Sequence, residues 1–145
     1  MSVSPIQILL VEDNPGDVRL TEEALKDAKV HTILHVAKDG VEALTFLRKT
    51  GQYADAPMPD IILLDLNLPR MNGLEVLKEI KNDEKLRQIP VVVITSSKAE
   101  EDVAKSYHLH ANCYITKPID FSQFIVMVQS IENFWFTIVR LPTRK

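Results

Sequence analysis

Along the chain, short apolar runs alternate with longer segments in which apolar residues return every three or four positions. The runs 6–11, 33–37, 60–65, 91–95 and 113–116 have strand length and are rich in β-branched residues or leucine. After each comes a stretch with helical period, at 15–28, 40–50, 73–82, 98–109 and 121–139. Asn14 before Pro15 is good chemistry for a helix start, and Asp39-Gly40, Asn72-Gly73, Pro142 and the segment 56–59 supply turns between the periodic stretches. The pattern predicts a (βα)5 chain of the α/β class, doubly wound into a three-layer sandwich. Runs that are apolar at nearly every position belong to strands covered on both faces, and the weaker 33–37 run fits an edge.

Ligands in such sheets bind beyond the carboxyl ends of the strands. Those ends carry Glu12 and Asp13 after the first run, Asp65 with Asn67 after the third, Thr95 with Ser96 and Ser97 after the fourth, and Lys117 with Pro118 after the fifth. Three carboxylates with a backbone carbonyl and waters make the all-oxygen environment that Mg²⁺ prefers. A lysine and a threonine hydroxyl can hold the oxygens of a phosphoryl group. An aspartate in such a cage can act as nucleophile, and Asp65 at the tip of the central run is the best placed of the acids.

Composition narrows the picture further. The 145 residues are 46% hydrophobic and 26% charged, enough for one domain that needs no staple, and the 1 cysteine, Cys113, could not form one internally. A net charge of −3 lacks the basic excess of a nucleic-acid binder. No apolar run approaches the ~20 residues needed to cross a membrane. No leader-like segment precedes the first strand, so a cytoplasmic location is expected.

The blocks Leu9-Leu10-Val11-Glu12-Asp13-Asn14, Leu63-Leu64-Asp65-Leu66-Asn67-Leu68-Pro69 and Met71-Asn72-Gly73, with Thr95 and Lys117 at the family's spacings, resemble the response-regulator receiver domains of two-component signalling from about residue 6 to 139. The resemblance implies a flavodoxin-like sheet of order 2-1-3-4-5. It also implies phosphorylation of Asp65 by a histidine kinase, Mg²⁺ held by Glu12, Asp13, Asp65 and the Asn67 carbonyl, and a phosphoryl group gripped by Thr95 and Lys117. Tyr114 takes the place of the family's switch aromatic, which would turn inward as Thr95 is drawn to the phosphoryl group and so remodel the α4–β5–α5 face. The Lys117-Pro118 peptide is cis in the family. No output domain is expected, with residues 131–145 forming an extended C-terminal helix and tail.

Glu101-Asp102-Val103, the run 107–114, Ile131-Glu132-Asn133-Phe134-Trp135 and Leu141-Pro142 resemble the small receivers that work with phytochrome histidine kinases, which implies a phytochrome-type partner. The surplus apolar residues Phe124, Phe134 and Trp135 are then expected to form a homodimer or kinase-docking surface. The alternative for Phe134 and Trp135 is that they cap the core, and for Tyr114 that it is an ordinary strand aromatic.

Other functions fare less well. A Mg²⁺-dependent aspartate-nucleophile phosphatase needs a second acid two residues after the nucleophile, where Asn67 cannot donate a proton at neutral pH. A pseudo-receiver acting only as a binding module would be marked by loss of Asp65, Asp13 or Lys117, and all are present. A nucleotide-binding flavodoxin-like protein would carry a glycine-rich phosphate loop after the first strand, where Glu12-Asp13-Asn14-Pro15 stands instead. Zinc at His108, His110 and Cys113 lacks a fourth ligand. His31 and His35 are expected to be solvated.

Overall fold

The computed structural model describes residues 5–27, 31–96, 99, 111 and 113–117. Among these, five parallel strands form one sheet: β1 (Ile6–Val11), β2 (Thr32–Ala37), β3 (Ile61–Asp65), β4 (Val91–Thr95) and β5 (Cys113–Thr116), in the order β2-β1-β3-β4-β5. Three helices are described, α1 (Pro15–Asp27), α2 (Gly40–Leu47) and α3 (Gly73–Lys81).

The unbroken apolar runs have a simple cause. Alternate residues of a strand face opposite ways, and both faces here are covered. Ile8, Leu10, Ile61 and Leu63 pack with Ala24 and Leu25 of α1, whereas Leu9, Val11, Ile62 and Leu64 pack with α2 and α3 through Phe46, Leu47, Val76 and Leu77. Full burial of each such side chain contributes about 1.5–3 kcal/mol. The register pairs Val11 with Leu64, Asp65 with Ile94 and Thr95 with Thr116, so the strands end nearly level along one edge.

Element ends differ from expectation in four places, the slightest being α3, which ends at Lys81 rather than residue 82, with Asn82 as its C-cap. β2 begins at Thr32 rather than residue 33. β3 begins at Ile61, because Asp60 caps the sheet: its N–H donates to the Gln7 carbonyl at 2.7 Å and its Oδ2 accepts from the Gln7 N–H at 2.8 Å. α2 stops at Leu47 instead of 50, where Lys49 adopts a left-handed φ of 56° and the Thr50 N–H turns back to the Thr45 carbonyl. A single 3-10 turn at Gly51–Tyr53 follows.

His31 is exposed as expected, but His35 is not merely solvated. Half-buried, it meets Gln7 Oε1 at 2.7 Å and its ring lies 5.2 Å from that of Phe46. The expected helices 98–109 and 121–139, Pro118, and Phe124, Phe134 and Trp135 lie outside the described residues, Ala99 apart.

Candidate functional site

Strand register assembles the site. Glu12 directly follows β1, and because Val11 pairs with Leu64, Glu12 comes level with Asp65, the last residue of β3. Both are almost wholly buried, at 2% and 1% exposure. Asp13, next along, is exposed, and ligand atoms of Glu12, Asp13 and Asp65 all lie within 4.8 Å of one another.

Each buried acid is aimed by backbone donors. Glu12 Oε2 accepts from the Asn14 N–H at 3.2 Å, and Asp65 Oδ1 accepts from the Asn67 N–H at 2.9 Å. Lys117 enters from the residue after β5, its N–H fixed to the Thr95 carbonyl at 2.8 Å. Its ammonium reaches Asp65 Oδ2 at 2.8 Å and Glu12 Oε1 at 3.1 Å.

Charge crowding leaves its mark on both partners. Burial, then the hydrogen bond and negative charge of Asp65, push the Glu12 carboxyl up from 4.5 to about 7. For Lys117 burial works toward a lower value, but the hydrogen bonds to Asp17 and Asp65, with the charge of Asp65, outweigh it and hold the ammonium above its ordinary range. Thr95, the last residue of β4, is fully buried, and its Oγ1 has no hydrogen-bond partner among the described residues. A buried hydroxyl without a partner costs about 1–3 kcal/mol, a cost that a group bound beside it would recover.

A model of the response regulator receiver domain matches residues 8–129. The chain belongs to the response-regulator receiver family. The receiver is 49% identical over 138 residues to the response regulator Rcp1 of Synechocystis sp., covering 95% of this chain and 94% of that one. It is 38% identical to a probable methanogenesis regulatory protein, FilR2, of Methanothrix harundinacea, over 95% and 88% of the two chains. Among solved structures, the bacteriophytochrome response regulator AtBRR superposes with a TM-score of 0.85 at 45% identity, over 91% and 96% of the two chains. The phosphorylated cyanobacterial phytochrome response regulator RcpA gives 0.76 at 51%, over 91% and 94%. Rcp1 has been solved in a Mn²⁺-bound form.

Receiver domains bind a divalent metal, and the donor set here fits one. Its side-chain ligands are carboxylates alone, within 4.8 Å of one another, which suits a hard cation. Of the receiver residues anticipated from the sequence, Glu12, Asp13, Asp65 and Lys117 come together, and Thr95 ends the strand beside Asp65. Asn67 is exposed beyond the pocket, its Nδ2 donating to Ser96 Oγ at 3.2 Å. Tyr114 is half-buried against the core on the α2–α3 side.

One site residue was not anticipated. Asp17, in the first turn of α1, accepts from the Lys117 ammonium at 2.8 Å through Oδ2. Acids are common in first helical turns because they complement the helix dipole, so Asp17 reads as ordinary in the sequence. The available signal was its place: it heads the stripe of α1 that continues through the buried Thr21 and Ala24.

Proposed function

We propose that this receiver accepts a phosphoryl group on Asp65 from a histidine kinase, in a reaction that requires Mg²⁺, and passes the signal on through a changed surface. The observation that carries the reading is the pairing of Asp65, buried at a strand tip with Lys117 at 2.8 Å, with the buried, unpartnered Thr95 hydroxyl. The likeness to phytochrome response regulators, at 45% and 51% identity, supports a kinase partner of phytochrome type.

A carboxylate oxygen of Asp65 attacks the phosphorus of a phosphohistidine. The P–O bond forms as the P–N bond breaks, and the bonding pair leaves with the imidazole nitrogen, which takes up a proton. The Asn67 N–H holds the carboxylate in place through Asp65 Oδ1, and Lys117 and Thr95 donate to phosphoryl oxygens as charge gathers on them. Glu12, Asp13, Asp65 and the Asn67 carbonyl would hold Mg²⁺, which supplies charge neutralisation at the phosphoryl oxygens. The switch residues are then Thr95 and Tyr114, with transfer favouring the state in which the Thr95 hydroxyl gains its missing partner. The chain works as a single receiver domain, in the cytoplasm, and pairs with a second copy through Phe124, Phe134 and Trp135.

The test is intact-mass spectrometry after incubation with acetyl phosphate, with Mg²⁺ or with chelator. The wild type is expected to gain the mass of one phosphoryl group with Mg²⁺ alone, and Asp65→Asn to gain none while remaining folded by circular dichroism. No gain in a wild type shown separately to bind Mg²⁺ would overturn the reading and leave a binding module that works without phosphorylation.

A further inference from the structure

The Lys117 ammonium has three hydrogens to donate and no capacity to accept. Its described partners are Asp17 Oδ2 and Asp65 Oδ2, both at 2.8 Å, and Glu12 Oε1 at 3.1 Å. Two of these acids, Glu12 and Asp65, also belong to the trio whose ligand atoms cluster within 4.8 Å, and Asp17 does not. A divalent cation and the lysine therefore compete for the same two carboxylates, while Asp17 is a partner that the lysine keeps to itself.

Asp17 is well built for that task. It is fixed by its own helix, its N–H donating to Asn14 Oδ1 at 3.0 Å in the cap of α1. It stands at the rim, with 29% of its side chain exposed against 1% for Asp65, and so accepts a charge with less desolvation than the buried pair. Remove the charge at residue 17 and the ammonium, already bonded to Asp65 and Glu12, loses its described partner outside the trio and is held by those two alone, a tighter internal counter-ion for an arriving cation to displace.

Resting on the function proposed above, we infer that Asp17 is a positioning residue that gives the Lys117 ammonium an anchor outside the acidic trio. It thereby lets the lysine yield Glu12 and Asp65 to a divalent cation without losing every anionic partner, and keeps it within reach of phosphoryl oxygens.

The experiment is a double-mutant cycle on divalent-ion affinity, with Asp17→Asn, Lys117→Met and the double variant. Free Mn²⁺ is followed by electron paramagnetic resonance, and Mg²⁺ by competition. Asp17→Asn is expected to weaken binding about three- to tenfold when Lys117 is present, and less than about twofold in the Lys117→Met background. Asp17→Glu, which keeps the charge, is expected to restore most of the affinity, separating the lysine route from damage to the fold. Equal weakening in both backgrounds, or no weakening by Asp17→Asn, would overturn the inference, since a through-space effect on the cation needs no lysine. A wild type that binds Mn²⁺ but gains no phosphoryl group overturns the proposed function while the cycle still decides Asp17. A wild type that binds no divalent ion overturns both.

Discussion

Glu12 contributes to folding with the opposite sign from an ordinary surface carboxylate. Its carboxyl titrates at about 7 in the folded protein against 4.5 ordinarily, so between these values the folded state binds more protons than the unfolded one. The metal-free protein therefore loses stability as pH rises from 4.5 to 7, and the loss is complete above that window. Glu12→Gln removes the buried charge and keeps one acceptor oxygen, enough for either the Asn14 N–H or Lys117 but not for both. At pH 8 in chelator, the variant is expected to be more stable than wild type by about 1–3 kcal/mol in urea melts, with a flatter pH profile. It should also bind Mn²⁺ more weakly. A variant less stable than wild type under those conditions would show that Glu12 supports the fold as an anion. Nothing in the sequence announces this shift, because it arises from burial in the folded sheet and then from Asp65, which lies 53 positions away and becomes a neighbour only through the pairing of β1 with β3.

The loop from Leu66 to Asn72 hangs between β3 and α3 and is fastened at both ends. Asn72 closes a capping box with Glu75, each side chain accepting from the other's N–H, at 3.0 and 3.1 Å. Arg70, at a left-handed φ of 64°, reaches Asp39 Oδ2 through Nε at 3.0 Å and a terminal nitrogen at 2.8 Å, while Asp39 Oδ1 caps α2. Gly73 lies so close beneath the loop that a Cβ there would come within 2.5 Å of the Asp65 carbonyl oxygen and the Leu66 Cα. The expectation that Asn72-Gly73 is a turn is thus correct but understates the glycine, whose missing side chain lets α3 press against the backbone of Asp65. Gly73→Ala is expected to cost about 1–3 kcal/mol in urea melts and to slow phosphorylation by acetyl phosphate, although residue 73 touches no reacting group. Asn72→Ala, which only opens the cap, should cost about 1 kcal/mol. Equal phosphorylation rates in Gly73→Ala and wild type would show that the loop absorbs the added methyl. Capping and turn signals are local and were readable in the residues themselves. The reversals at Lys49 and Arg70 were not, because neither is a residue type that favours a left-handed backbone.

The order β2-β1-β3-β4-β5 explains why so much could be anticipated. Strands buried on both faces must be apolar throughout, and their polar residues are then pushed to the ends, where Glu12, Asp65, Thr95 and Lys117 stand out. What stayed hidden is what requires two distant segments to meet, above all the contact of Asp17 with Lys117. The pairing of two copies proposed above through Phe134 and Trp135 would be a meeting of the same kind. Replacing both with alanine is expected to shift sedimentation velocity profiles toward monomer, and an unchanged profile would assign these residues to packing within one copy.

The carboxylates of the site come from the first half of the chain, while the lysine that meets them lies 52 residues beyond Asp65. On the ribosome, Glu12, Asp13, Asp17 and Asp65 have therefore all been made before their counter-charge exists. An emerging chain that pairs β1 with β3 brings Glu12 and Asp65 together before Lys117, the cation that sits beside them in the folded protein, has been made. Among the described strands, the last to be made is the one that brings the counter-charge to the two at the centre.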